Sequence, residues 1–253
     1  MTTPPLPREP LRGVTVSIVS HGQIELIRPL LEQLDRFCNG HIRQVLLTCN
    51  LPEPLGVLPA LRFPLEVLHN PRPRGFGANH NAAFLRCHTP WFLVLNPDIR
   101  LSSDVLGPLL DDALPETGLL APRVLEPGML QPEAHRRLIT PVEILRRRKP
   151  DYVAPAAPAW LPGLFMLLRS NAWQAVHGFD ERYFMYGEDV DLSARLRLAG
   201  WHIQVCEDQC VVHEARRASH ADRRHLRWHL ASLFRLWTSA AFWRYRALLR
   251  RSG

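Results

Sequence analysis

Glu188, Asp189 and Asp191 open an apolar-periodic run, directly behind the aromatic stretch Tyr183-Phe184-Met185-Tyr186. Carboxylates in a first helical turn are stabilised by the helix dipole, and that alone can make them caps. The aromatic approach adds something a cap does not need. It gives one carboxylate a partly dry setting, suited to a general base that takes a proton from an alcohol. A second acidic position, Asp98, follows the apolar run Trp91–Leu95 within Asn96-Pro97-Asp98. Those three residue types form turns readily. After a buried strand they also offer a hard oxygen ligand for Mg²⁺ or Mn²⁺, with phosphate oxygens completing the shell. A third feature lies upstream, in the stretch from Asn70 to Asn81. Gly75 and Gly77 permit close backbone approach at a helix start that favours an anion, and Arg72 and Arg74 add positive charge. The Lys-Ser/Thr pair of a P-loop is missing there.

These residues need elements to hold them. Short apolar runs at Val14–Val19, Gln44–Thr48, Leu65–His69, Trp91–Leu95 and around Leu119–Ala121 read as buried strands. Helical spacing separates them over Ile24–Phe37, with Pro29 expected in the first turn, over Gly77–Arg86, and over Ser103–Ala113 with Ser103 as cap. The alternation predicts an α/β fold with a mostly parallel, doubly wound sheet flanked by helices. Ligands of such sheets sit outside the carboxyl ends of the strands, which is where Asp98 falls. From Glu126 to Ala159 the chain is rich in Pro and Arg and reads as a long arm that covers a site or meets an acceptor. Order returns with a strand at Trp160–Arg169, helices at Ser170–His177 and Glu188–Ala199, a left-handed cap at Gly200, and a strand at His202–Cys206.

Composition bounds the class. With 46% hydrophobic and 22% charged residues, the 253-residue chain matches a globular α/β domain rather than a disordered one. No apolar stretch reaches the roughly 18 residues of a membrane span, and Met1–Arg12 is a Pro-rich lead-in without a signal-peptide core, so a cytoplasmic protein is expected. Cys38, Cys49, Cys87, Cys206 and Cys210 fit neither a disulfide framework nor a zinc site. The net charge of +7, nearly all from arginine, favours anionic partners. A nucleic acid is excluded among them, because the acidic cluster would repel phosphate unless a metal intervened.

The segment from Phe179 to Trp201 resembles the acidic motif of glycosyltransferase family 2, above all its bacterial rhamnosyltransferase-like branch. Asn96-Pro97-Asp98 is similar to that branch's metal-binding Asp-x-Asp variant, Gly75–Asn81 to its donor loop, and Trp160–Arg169 to the strand bordering the acceptor. The resemblance runs in order from about Val14 to His213 and implies a GT-A, Rossmann-like fold. The catalytic domain would span 13–215, its nucleotide-sugar half 13–125 and its acceptor half 126–215, with a helical tail at 216–253. The implied activity is metal-dependent, inverting transfer of a sugar, rhamnose foremost, in cell-surface polysaccharide or glycolipid assembly. Asp189 matches the general base. Asp98 matches the metal ligand, with His213 completing the metal shell or touching the diphosphate. Asn96, Gly75, Gly77, Asn81 and Asn50 fall on donor-side positions, and Glu188, Asp191 and Gly163 on acceptor or supporting ones. Implied partners are a dTDP- or UDP-linked sugar and a saccharide or polyprenyl-linked acceptor. Two departures touch the donor: Ser20-His21-Gly22 stands where the family more often has an aromatic and Asn, and Asn50 where it carries a base-reading Asp.

The tail from Ala221 to Arg251 has Leu226, Leu230, Leu233, Phe234, Trp237 and Tyr245 on one broad face and arginines over the rest. It either lies on an anionic membrane or packs back on the domain. Outside the transferases, a sugar nucleotidyltransferase would show a Gly-rich, basic signature near Val14–Gly22, which is missing. A non-catalytic nucleotide- or anionic-surface-binding module would leave the Glu188–Asp191 cluster without a purpose.

Overall fold

The computed structural model describes residues 12–214 and 223–251; the expected lead-in and the junction into the tail fall outside them. In chain order the elements are β1 (Val14–Ser20), α1 (Ile24–Gln33), β2 (Ile42–Cys49), β3 (Leu65–His69), α2 (Phe76–Phe84), β4 (Trp91–Leu95), β5 (Ile99–Arg100), α3 (Leu106–Asp111), β6 (Thr117–Leu125), α4 (Pro141–Arg146), β7 (Phe165–Arg169), α5 (Ser170–Ala175), α6 (Glu188–Leu198), β8 (His202–His213), α7 (Arg223–Thr238) and α8 (Ala240–Arg251). All eight strands join one sheet in the order β3-β2-β1-β4-β7-β6-β8-β5.

Strand residues alternate between two cores. Val14, Val16, Ile18, Leu93, Leu95, Phe165 and Leu167 point to one face, against Ile27, Leu30 and Leu31 of α1 and Leu106 and Leu109 of α3. Phe92, Val94, Met166 and Leu168 point to the other, against Trp173 of α5 and Leu192 and Leu196 of α6. Burial on both faces is why these strands read as unbroken apolar runs. Details differ from the sequence expectation. Pro29 sits in the second turn of α1, and the helix ends in a π-turn at Leu34–Cys38. Asp104, not Ser103, caps α3, its Oδ1 accepting the N–H groups of Leu106 and Gly107 at 3.1 Å. The arm contains a helix, α4, capped by Thr140.

The pairings bring the functional residues to one edge. β1, β2 and β4 run parallel, whereas β7 is antiparallel to β4 and to β6. β8 runs parallel to β6. The carboxyl ends of β1, β2, β4, β6 and β8 therefore share one edge with the amino end of β7. The chain also reverses its direction of travel between β1 and β4, the switch point where α/β sheets open a crevice.

The tail is two helices rather than one. Leu236, Phe242 and Tyr245 are buried in a third core with Val190 and Ala194 of α6, so part of the tail packs on the domain. Leu226, Leu230 and Phe234 stay 60%, 59% and 71% exposed, splitting the expected apolar face in two.

Candidate active site

The turn after β4 is locked from several sides. Asn96 N–H donates to Leu164 O at 2.9 Å, just before β7. Arg100 donates to Pro97 O at 2.9 Å and Ile99 O at 2.8 Å, and pairs with Glu214 at 2.8 Å. β5 pairs Ile99 with His213 and so carries the end of β8 against the turn. His213 Nε2–H then reaches Asp98 Oδ2 at 3.2 Å, while its Nδ1–H donates to Glu126 Oε1 at 2.6 Å. Burial opposes the imidazolium, but the two carboxylates prevail and raise its pKa to about 9. The other oxygen, Asp98 Oδ1, is buried with no hydrogen-bond partner. A buried carboxylate oxygen left unsatisfied is costly, and a cation beside it removes that cost. Among the described residues no three His, Cys, Asp or Glu side chains are grouped as a ready-made ion cage. Mg²⁺ and Mn²⁺ do not need one, because substrate phosphates and water supply most of their shell. Asp98 thus suits a divalent ion bound together with a diphosphate, and His213 can join its shell only by giving up the Nε2 proton. Glu126, absent from the sequence expectation, reaches the site because β6 ends at this edge.

Asp189 joins the same contact network through Gly163, the residue before Leu164. Its Oδ2 accepts Gly163 N–H at 3.1 Å and its Oδ1 accepts Val190 N–H at 2.8 Å. Gly163 neighbours Leu164, whose carbonyl holds Asn96. Burial raises the pKa of Asp189, while those two N–H groups and the charge of Arg136 pull it back. Glu188 is more deeply buried, its Oε2 has no partner, and burial followed by the charge of Asp189 raises its pKa. Environments that differ in this way put the shared negative charge on Asp189 and the proton on Glu188. Asp191 faces away: its Oδ2 accepts from Arg195 Nε at 2.7 Å, and Arg195 also holds Gly178 O at 2.8 Å. Its part is to brace α6 against the preceding loop.

Asn81, Gly75, Gly77 and Asn50, expected on the donor side, make these contacts within the protein. Asn81 Nδ2 donates to Phe179 O and Glu181 Oε1, and its Oδ1 accepts Phe179 N–H at 2.9 Å. Nothing on that side chain is left to read a donor. A Cβ on Gly75 would stand 2.7 Å from Phe184 O, and one on Gly77 2.5 Å from Phe179 Cβ. The two glycines make room for the acidic segment rather than for a phosphate. Gly77→Ala is expected to lower stability by about 1–3 kcal/mol, read from the chemical denaturation midpoint. Asn50 is buried, with Oδ1 accepting Arg74 N–H and Asn70 Nδ2, both at 2.8 Å, and Nδ2 donating to Arg74 O at 3.0 Å. Asn70 continues to Asn79 Oδ1 at 2.6 Å. This chain of asparagines fixes the loop before α2. Its members are spread over β2, β3 and α2, so local spacing gave no signal for it.

The loop before α6 is clamped by the tail. Tyr186, at φ +73°, stacks on His229 with ring centroids 3.5 Å apart, and its hydroxyl meets His225 Nδ1 at 2.7 Å. Ser232 Oγ donates to Met185 O at 2.9 Å.

Known proteins resemble this chain in sequence and fold. Residues 153–231 match the family described as "Glycosyltransferase like family 2". The chain is 32% identical over 168 residues to the N-acetylglucosaminyl-diphospho-decaprenol L-rhamnosyltransferase of Mycobacterium tuberculosis, a match covering 57% of this chain and 53% of that protein. It is 43% identical over 81 residues to the rhamnosyltransferase WbbL of Escherichia coli, covering 30% of this chain and 29% of that one. The chain thus spans about half the length, or less, of these curated relatives. Among solved structures, the mannosyltransferase PcManGT of Pyrobaculum calidifontis, in complex with GDP-Man and Mn²⁺, superposes with a TM-score of 0.59 at 16% identity, over 88% of this chain and 64% of that one. GalNAc-T7 with UDP, GalNAc and Mn²⁺ gives 0.62 at 15% identity, over 82% and 45%. These two likenesses show the GT-A fold. Over residues 153–231 the chain is similar to the family 2-like glycosyltransferases, and over part of its length to rhamnosyltransferases.

Proposed function

We propose that this chain is a metal-dependent, inverting glycosyltransferase. It moves a hexose, rhamnose foremost, from a dTDP- or UDP-linked donor to a hydroxyl of a polyprenyl-diphosphate-linked saccharide in polysaccharide assembly. The observation that carries the reading is the coupling of two acidic centres through one contact network. Asp98, with its unpartnered Oδ1, and Asp189, held by Gly163, are joined through Leu164 and Asn96. The rhamnosyltransferase relatives supply the sugar and the kind of acceptor.

Asp98 would hold Mg²⁺ or Mn²⁺, joined by His213 once its Nε2 proton is released, and the ion when bound neutralises charge growing on the diphosphate leaving group. Asp189 accepts the proton of the incoming hydroxyl as its oxygen bonds to the anomeric carbon. The bond from that carbon to the diphosphate breaks on the opposite face. Gly163 and Val190 aim the carboxylate, and burial makes it a stronger base than a solvated one. Titrating the folded chain calorimetrically with nucleoside diphosphates and their sugars is expected to show binding that needs Mn²⁺ or Mg²⁺. Folded protein that binds none of them would sink the reading.

The tail completes the setting. No helix among the described residues is long and apolar enough to cross a membrane. The exposed Leu226, Leu230 and Phe234 of α7, joined by Trp243 and the exposed Arg227, Arg244 and Arg250, match an anionic bilayer surface. That match supports a peripheral seat on the cytoplasmic face of the membrane, where a lipid-linked acceptor is within reach. The Leu230→Asp/Phe234→Asp chain is expected to stop pelleting with phosphatidylglycerol vesicles. Equal pelleting of parent and variant would remove the membrane from the scheme.

A further inference from the structure

Arg12, Arg62, Arg74, Arg86, Arg100, Arg123, Arg182 and Arg195 each meet a carboxylate, as does Arg136 of the arm. The rest of the arm gathers cations that do not. Arg137, Arg147 and Lys149 have no carboxylate partner among the described residues, and all three are exposed. They line two adjoining hollows that share Arg137 and Tyr152, and Trp160 walls the larger. The acids here are Glu143, which accepts the Tyr152 hydroxyl at 2.6 Å, and Asp151. Cations outnumber them, since Arg136 and Arg146 also line the hollows. The two hollows have empty volumes of about 530 and 690 Å³, open mouths included, within the range of ligand sites.

Its position matters as much as its charge. Arg136 lies over the Trp160 ring at 5.1 Å, and its charge reaches Asp189. From Trp160 the chain runs to Gly163, the residue that holds Asp189. On the opposite side the arm is fastened to the tail, Trp237 Nε1 donating to Ile139 O at 2.8 Å and Tyr245 Oη to Ala159 O at 2.7 Å. The arm that bears the unpaired cations thus meets both the Trp160 region beside the base and the tail helices.

We infer that this arm cleft binds the diphosphate of the acceptor, with Arg137 and Arg147 as its principal contacts. The inference rests on the transferase reading above. A lipid-linked acceptor carries hydroxyl, sugar, diphosphate and lipid together, and the arm that bears these arginines touches both the surroundings of Asp189, through Trp160 and Gly163, and the tail. Guanidinium groups suit the task because they pair with phosphate oxygens two at a time.

The test uses the full chain and an Arg137→Gln/Arg147→Gln variant, whose exposed substitutions leave the core untouched. Titration with inorganic pyrophosphate in EDTA is expected to show binding by the parent and at least tenfold weaker binding by the variant. With a sugar acceptor carried on an alkyl diphosphate, the variant's KM is expected to rise at least tenfold with kcat nearly unchanged. With the same sugar as a neutral alkyl glycoside, parent and variant should behave alike. An equal loss on both acceptors, or unchanged pyrophosphate binding, overturns the inference. Loss of phosphatidylglycerol vesicle binding with pyrophosphate binding intact also overturns it, in favour of a lipid headgroup. Turnover with an arginine-independent KM sinks the cleft and spares the transferase. Arginine-dependent pyrophosphate binding in a chain that turns over no nucleotide sugar sinks the transferase reading, and with it the acceptor assignment.

Discussion

An Asp189→Asn chain is expected to bind its donor as the parent does and to turn over about 10²–10⁴-fold more slowly, the range that general-base help supplies. The amide keeps the shape but cannot take a proton. Both oxygens of Asp189 accept backbone N–H groups, from Gly163 and Val190, so the new amide nitrogen must oppose one of them. That costs some local stability, offset because a neutral side chain replaces a buried charge. A melting curve close to the parent's, with turnover lost, separates the chemical effect from misfolding. The parent's pH profile carries the same information. Burial raises the pKa of Asp189, so the base is protonated at low pH and kcat/KM climbs as pH rises through a value above the usual carboxylate range. That acid limb should vanish in the variant. Near-parental rates in Asp189→Asn would move the base elsewhere.

Asp98→Asn is the second large effect. It removes the anionic oxygen that lacks a partner and the carboxylate facing His213. The expected result is loss of the metal-dependent part of nucleotide binding and a fall in kcat/KM of about 10²–10³-fold. Those factors correspond to the several kcal/mol that a Lewis acid contributes to transition-state charge. The fold should survive, because Arg100, Glu214 and the Asn96–Leu164 bond hold the turn without the Asp98 side chain. Calorimetry with and without Mn²⁺ on both chains checks it. A variant whose donor affinity responds to metal as the parent's does would show that the ion sits elsewhere.

Much of this frame was legible because double-sided burial writes strands as apolar runs. β1, β3 and β4 fall almost where the sequence puts them. β8 extends to His213, well past Cys206, because its register against β6 jumps from Cys206 to Cys210 and bulges out Glu207, Asp208 and Gln209. Those polar residues end the apolar signal, although Glu207 faces Arg123 and His135. Helix α4 is marked in the sequence, although the Pro- and Arg-rich composition around it reads as a loop. Thr140-Pro141-Val142-Glu143 joins an N-cap, a first-turn proline and an acid at the third position. The asparagine bracing was hidden for another reason. Asn81 is defined by Phe179 and Glu181, about a hundred positions away, and no local pattern says that those segments meet.

The place of β4 in the sheet also bears on how the chain is made. One edge of β4 pairs with β1, already synthesised, but the other waits for β7, whose residues leave the ribosome some seventy positions later. Over that interval a hydrophobic strand edge stays open, and the bare backbone of Gly75 and Gly77 lacks its Phe179–Phe184 cover. Nascent chains with such edges are the ones that aggregate or recruit chaperones. A version cut after β6 should accordingly be recovered in inclusion bodies or bound to a holdase, even though every residue before that cut is correct.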